Sequence, residues 1–272
     1  MSEPTHGLRD RTIADFGDQW TRFQRNDGFY GSAELFADMC GPLLAPSDVR
    51  GLSVADIGSG TGRIVQMLLD AGAAHVVAVE PSAACDVLRQ NLAAFGSRVE
   101  CVQARGEDIP RDRAFDLVTS IGVLHHIPDP APVVKAAFES LRPGGRMLVW
   151  LYGREGNGLY LTLTEPLRAV TTRLPHAPVF ALARLLTALL VPYVWLCRRL
   201  PLPLRGYFAE VFGPMAYDKR ELIVYDQLRP AYAKYYTRDE AAALLAQGGF
   251  ADVRVHHRHG YSWTVSGTRP GP

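Results

Sequence analysis

Cysteine is scarce in this chain and follows no pairing pattern. The four residues, Cys40, Cys85, Cys101 and Cys197, are scattered, with no C-x-x-C spacing. That argues against a disulfide framework and predicts reduced thiols in a cytoplasmic protein. Surplus charge is also lacking. There are 29 Lys and Arg against 28 Asp and Glu, a formal net charge of +1. With no basic stripe carrying interleaved aromatics, no nucleic acid is expected as a partner. Met1–Gln24 is polar and mixed in charge, without the apolar core of a signal peptide. One further absence is local. Pro166–Ala209 contains no Asp or Glu, yet it holds six arginines: Arg168, Arg173, Arg184, Arg198, Arg199 and Arg205. What the chain does have is apolar mass, 47% of 272 residues, enough for one large domain or a domain with an insertion.

The most informative stretch is Val54-Ala55-Asp56-Ile57-Gly58-Ser59-Gly60-Thr61-Gly62, with Ile64, Val65, Leu68 and Leu69 at helical spacing after it. It reads as strand, tight glycine turn and helix. Glycine lets the backbone bend sharply and lets a ligand approach closely, and the new helix presents free N–H groups. A dinucleotide fold normally has G-x-G-x-x-G. Here the spacing is G-x-G-x-G, with Asp56 two residues before the first glycine, which suits a cationic ligand end better than a pyrophosphate.

Residues 48–150 alternate strand and helix. Strands are expected at Ser53–Ile57, His75–Val79, Val99–Gln103, Phe115–Ser120 and Arg146–Leu151, with helices at Ile64–Ala71, Ala83–Phe95 and Ala131–Leu141. This predicts a parallel sheet with helices on both faces and ligands at the edge formed by the strand C-termini. Along that edge fall the glycine turn, Glu80-Pro81-Ser82, Gly106-Glu107-Asp108 and the segment Val123-Leu124-His125-His126-Ile127-Pro128-Asp129, into which the fourth strand Phe115-Asp116-Leu117-Val118 runs; Leu141-Arg142-Pro143-Gly144-Gly145 then makes a turn before the fifth strand. Glu80, 20 residues after Gly60, can accept hydrogen bonds from both hydroxyls of a ribose.

In this order the motifs resemble those of the class I S-adenosylmethionine-dependent methyltransferases, in particular the ubiquinone and menaquinone group and its small-molecule relatives. The resemblance covers residues 52–152 and returns over 237–268. It implies an α/β, Rossmann-like doubly wound sheet, mostly parallel with one antiparallel strand near the C-terminus, plus a helical insertion. It implies S-adenosylmethionine as cofactor. Gly58, Ser59 and Gly60 would approach its methionine and ribose part, Asp56 the amino end, Glu80 with Pro81 the ribose, Glu107 or Asp108 the adenine amine, and Ile121 the ring or sulfur. The expected reaction is methyl transfer to a small, fairly apolar acceptor. A non-catalytic S-adenosylmethionine-binding regulatory subunit and an NAD-dependent oxidoreductase are the alternatives.

The flanks are harder to read. Residues 1–47 form an N-terminal helical segment, with aromatics at Phe16, Trp20, Phe23, Phe29 and Tyr30, that either packs on the core or covers the cofactor as a lid. The methyltransferase domain is expected over 48–152 and 237–272, and residues 153–236 as an inserted helical cap. Within that insertion Val179–Cys197 approaches the ~20 apolar residues of a membrane helix, but Arg184 and Pro192 argue against a span. A cap is expected, with peripheral membrane contact through 166–209 and a homodimer contact as alternatives. Thr237 and Glu240 form a capping box, and Gly248-Gly249 ends that helix. Two strands follow, Phe250–His257 and Tyr261–Gly267, turning at His259-Gly260. No metal site is expected, because no cysteine or acid stands at ligand spacing from His256, His257 and His259. A base is needed if the acceptor carries a proton. His125 is the candidate, with Tyr30 and Tyr235 as further acceptor-pocket residues, and His126 is expected to be structural.

Overall fold

The computed structural model describes residues 3–271; Met1, Ser2 and Pro272, at the outer ends of the expected segments, lie outside the described residues. A seven-stranded sheet forms the centre. In chain order its strands are β1 (Ser53–Ile57), β2 (His75–Val79), β3 (Val99–Val102), β4 (Phe115–Ile121), β5 (Leu141–Tyr152), β6 (Ala251–Arg258) and β7 (Ser262–Thr268). Across the sheet they run β3-β2-β1-β4-β5-β7-β6. The first five are parallel, and β7 lies antiparallel to both β5 and β6. The strand order reverses at β1 and β4, the switch point where an open α/β sheet leaves a crevice.

The apolar runs explain the layering. Four residues of β1 and four of β2 are buried on both faces, as parallel strands covered by helices must be. Helices α3 (Arg63–Asp70), α4 (Ala84–Leu92) and α5 (Ala131–Ser140) supply that cover. One core joins Val54, Val76, Leu68 and Leu88 to α2 (Ala33–Cys40), and the other joins Ala55, Val77, Val118 and Val149 to Val134 and Leu245. The turn at Leu141-Arg142-Pro143-Gly144-Gly145 falls inside the span of β5: pairing jumps from Phe115↔Leu141 to Leu117↔Arg146, so the intervening residues loop out. Thr237 caps α9 (Arg238–Ala246) by accepting from the Glu240 N–H, and Glu240 answers at the Thr237 N–H. The β6–β7 turn uses positive φ at His259 (46°) and Gly260 (73°).

Two segments lie outside this frame. α1 (Glu3–Arg22) crosses the C-terminal edge of the strands: Cβ of Ser82 is 3.1 Å from where a Cβ on Gly17 would sit. The second segment holds α6 (Gly158–Thr171), α7 (His176–Cys197), a π-helical turn at Tyr207–Phe212 and α8 (Tyr217–Leu228). It has its own small core of Val179, Ala183, Val194, Phe212, Tyr225 and Leu228. Its return is tied to the sheet: the Tyr236 N–H donates to the Tyr152 carbonyl at 2.8 Å, and the Lys234 N–H to the His125 carbonyl at 2.8 Å.

Candidate functional site

The glycine turn takes positive φ at Gly58 (76°), Gly60 (54°) and Gly62 (88°). At Gly58 any side chain would collide as well, because a Cβ would lie 2.5 Å from a Val123 methyl. The turn is fastened from below and from the side. The Ser59 hydroxyl donates to the Asp56 carbonyl at 3.0 Å, and the Gly60 N–H donates to Glu80 Oε2 at 2.8 Å. The other oxygen of Glu80 accepts from the Ser82 N–H at 2.9 Å and from its hydroxyl. A carboxylate offers about four acceptor positions. Glu80 therefore braces the turn and keeps capacity toward the cavity it lines.

That cavity has a volume of about 310 Å³, within the range of small-molecule sites. Its floor is the strand edge, with Gly58, Ser59, Gly60, Glu80, Pro81 and Ile121. Its roof is α1, through Arg9, Thr12, Phe16, Gln19 and Trp20. A Cβ on Gly60 would come within 3.2 Å of Trp20 Nε1, so the roof rests directly on the turn. A second cleft, lined by Asp10, Gly17, Ser82 and Asp108, shares Ile13, Pro81 and Arg105 with the first and extends it past β2.

The far end of the cavity is a polar knot among aromatics. The Tyr152 hydroxyl donates to Asp226 Oδ2 at 3.1 Å and accepts from Gln227 Nε2 at 2.7 Å. Gln227 Oε1 accepts from the Tyr160 hydroxyl at 2.6 Å. Gln19 of α1 donates to Asp226 Oδ1 at 3.0 Å. Arg168 reaches the Tyr235 hydroxyl at 3.0 Å, and the Tyr235 ring stacks on Tyr152 with centroids 5.3 Å apart. His126 closes the group. Its Nδ1 lies 2.8 Å from the Tyr232 carbonyl, and its ring is 4.8 Å from Phe16. A carbonyl only accepts, so Nδ1 carries the proton and Nε2 is left with the lone pair. Burial pulls the imidazole below its ordinary value, against the opposing pull of Asp226 and the Tyr232 carbonyl, and so favours the neutral ring.

The residues singled out from sequence divide by position. Gly58, Ser59, Gly60, Glu80, Pro81, Ile121, Tyr30 and Tyr235 all line the cavity. Asp56 does not: it is buried beneath the turn and accepts from the Thr119 hydroxyl at 2.7 Å. Burial raises its carboxyl to about 6, offset in part by the Thr119 and Ser59 hydrogen bonds and the Arg63 charge. Its contribution to stability is thus present below the unfolded value near 3.8 and lost as pH rises through about 6. Glu107 pairs with Arg9 rather than facing the cavity. Burial opposes its ionisation, but the Arg9 contact outweighs burial and holds the carboxyl below its usual range. Asp108 lies on the second cleft.

The histidines exchange places. His125 is fully buried behind the wall, its ring 3.8 Å from that of Tyr152, and neither nitrogen has a partner. Burial pushes its titration well below the ordinary value. The cavity-facing member of the pair is His126, the one expected to be structural. Gln19, Tyr152, Tyr160, Asp226 and Gln227 were not singled out. Asp226-Gln227 is an acid–amide pair in a tyrosine-rich return segment, but no spacing in the sequence ties it to β5. His259 accepts a place in an ion cluster with Asp38 (2.7 Å) and Glu210 (3.3 Å), His257 stacks on Trp263, and among the described residues no three His, Cys, Asp or Glu side chains converge as a metal set.

Comparison with known proteins bears on the same residues. Residues 55–149 match the family described as methyltransferase domain. A ubiquinone biosynthesis O-methyltransferase of Aromatoleum aromaticum is 38% identical over 102 residues, 36% of this chain and 43% of that protein. One from Neisseria meningitidis is 29% identical over 154 residues, 53% of this chain and 63% of that protein. The chain thus spans about half the length of these curated relatives. Among solved structures, magnesium protoporphyrin IX methyltransferase from Synechocystis PCC 6803 with bound SAH superposes with a TM-score of 0.55 at 16% identity, covering 97% of this chain and 99% of that one. At that identity the likeness concerns the fold. Taken with the sheet order and the braced glycine turn, these matches show that the chain carries a methyltransferase domain of the class I S-adenosylmethionine-dependent family.

Proposed function

We propose that the chain transfers a methyl group from S-adenosylmethionine to a hydroxyl of a small, largely apolar acceptor. The observation that carries this reading is the continuity of the cavity. One continuous space joins Gly58–Gly60 and Glu80 to His126, Tyr152 and Asp226. The residues fit the cofactor. The turn's backbone can meet its methionine and ribose part, the acceptor position left on Glu80 a ribose hydroxyl, and the second cleft, with Asp108, the adenine. Glu107, held by Arg9, fixes α1 over that end instead. Asp56 acts from beneath, setting the turn through β1. When bound, S-adenosylmethionine supplies an electrophilic methyl group on a sulfonium.

The chain's own work is placement and proton removal. Tyr30, Trp150, Leu222 and Ile223 give the cavity apolar wall, which orients a ring or chain and excludes water. The Asp226–Gln227–Tyr152 knot can receive a polar substituent. Nε2 of His126 can accept the acceptor's proton, since Nδ1 is committed to Tyr232. His126 therefore replaces His125 as the proposed base, and Tyr235 acts by holding Tyr152. Oxygen is the favoured nucleophile because curated relatives are named O-methyltransferases and because a base is built into the pocket. α1 serves as the lid and residues 153–236 as the acceptor cap.

The test is transfer of label from methyl-labelled S-adenosylmethionine to small molecules of a cell extract and to simple lipophilic phenols. Label in an alkali-stable methyl ether supports the reading. Tight cofactor binding with no labelled acceptor would assign a regulatory subunit, and a larger thermal shift with NAD than with S-adenosylmethionine would restore the oxidoreductase.

A further inference from the structure

α7 has no polar side. One face, with Val179, Ala183, Val194 and Cys197, packs into the insertion's core. A surface helix of a water-soluble domain would carry charge on the opposite face. Here that face carries Ala181, Leu185, Ala188, Leu189 and Trp195, with Arg184 as its one charged residue. α6 adds Leu159, Leu163 and Val170 to the exposed apolar surface, beside the exposed Thr162 and Glu165. Leu163 is 66% exposed, Leu189 62% and Trp195 54%. Among the described residues, the most exposed large apolar side chains all belong to these two helices. Scattered exposed leucines are ordinary, but a concentration of this kind marks an interaction surface.

The charge around the surface selects the occupant. Residues 166–209 lack Asp and Glu. Arg173 lies just beyond α6, Arg198 and Arg199 just beyond α7, and Arg205 in the loop that follows; all four are exposed. Among the described residues none of the four has a carboxylate partner. Arg199 instead lies over the Trp195 ring at 4.0 Å. Arg184, mid-helix, is answered by Glu221 at 3.5 Å. Apolar stripes bordered by unpaired arginines and an interfacial tryptophan complement acidic headgroups over hydrocarbon. α7 is long and apolar enough to cross a membrane, but its buried face is held by Tyr225 and Leu228 of α8, which favours docking on the surface over a span. We propose that the α6–α7 face docks on a bilayer containing acidic phospholipid, with Leu185, Leu189 and Trp195 at headgroup depth and the four arginines on the phosphates. The same insertion walls the cavity through Leu204, Tyr207 and Val211, which puts the acceptor end of the site on the membrane side.

The experiment is sedimentation of the full chain with vesicles of equal phosphatidylcholine and phosphatidylglycerol, against vesicles of phosphatidylcholine alone. No readout uses turnover, so the result stands apart from the methyl-transfer proposal. The protein is expected to pellet with acidic vesicles at low salt and to be released at high salt. Arg198→Ser with Arg199→Ser should weaken that binding by about thirtyfold. Leu185→Glu with Leu189→Glu should abolish it, and Leu159→Glu with Leu163→Glu tests the second helix should the first pair unfold. Melting temperature and cofactor affinity should not move in a folded variant. Retention in the supernatant with acidic vesicles overturns the proposal. So does light scattering that shows a dimer split to monomers by the Leu185 and Leu189 changes, since the face would then belong to a second copy.

Discussion

The strand-edge half of the cavity and the insertion half are built on opposite principles. At the strand edge nearly every polar group is fixed by a neighbour close in the fold. Glu80 holds the Gly60 and Ser82 amides, and Ser59 holds the Asp56 carbonyl. In the insertion half the polar groups are joined by side chains across long sequence distances. Tyr152 meets Asp226 and Gln227, and Gln19 meets Asp226. Backbone-anchored groups barely change their position when one side chain changes, whereas a side-chain knot is remade by each substitution. The first arrangement suits a ligand that does not vary, the cofactor, and the second suits the part of a site where specificity is set.

That division is exposed to test, and the largest effect is expected at His126. His126→Asn should lower kcat by about 10² to 10⁴ while changing cofactor affinity less than about twofold. In the parent protein, burial puts the imidazole below its ordinary value. The acid limb of the kcat/KM profile should therefore fall below pH ~6.5, with a flat neutral region, and the variant should lose the limb. Equal losses in His125→Asn and His126→Asn would mean that the pair acts only in packing.

Next comes Glu80→Ala, which removes an acceptor shared by two backbone amides, the Ser82 hydroxyl and a proposed ribose hydroxyl. Calorimetry should show S-adenosylmethionine affinity lower by about 10²-fold, at roughly 1.5–3 kcal/mol for each hydrogen bond to a charged group. Unchanged affinity would remove Glu80 from the cofactor half. Gln227→Ala should raise the acceptor KM by about tenfold and leave cofactor affinity within error, since its partners are Tyr152 and Tyr160. A matching loss of cofactor affinity would merge the two halves into one. The smallest effect is a control outside both. Thr237→Ala deletes the cap of α9 and should cost about 1 kcal/mol in unfolding, with unaltered ligand affinities.

Legibility in the sequence follows the same division. β1 and β2 match their expected limits, and the other strands differ by a few residues at their ends. β5 begins earlier because its turn is looped out within a continuing pair with β4. The glycine turn and Glu80 were readable because they lie within one strand–turn–helix–strand unit, β1 to β2, and its short-range geometry fixes them. The helical cap expected over 153–236 is built of α6, α7, a π-helical turn and α8. α8 escaped because Tyr217–Leu228 mixes polar and apolar residues on a helix whose faces are claimed by both α7 and the cavity.

The sequence by itself determined the parallel sheet, its ligand edge, the glycine turn and the cofactor class. The sheet, its edge and the turn follow from strand and helix periodicity and from backbone conformations open chiefly to glycine, and the cofactor class from the resemblance of the ordered motifs to class I S-adenosylmethionine-dependent methyltransferases. Only the tertiary structure decided that His126 rather than His125 faces the cavity, that Asp56 and Glu107 support the site from outside it, and that α1 roofs it. It also decided that Asp226 and Gln227 reach Tyr152. Each of these depends on which way a side chain points once distant segments have met, and burial, hydrogen bonding and charge settle that only in the assembled molecule.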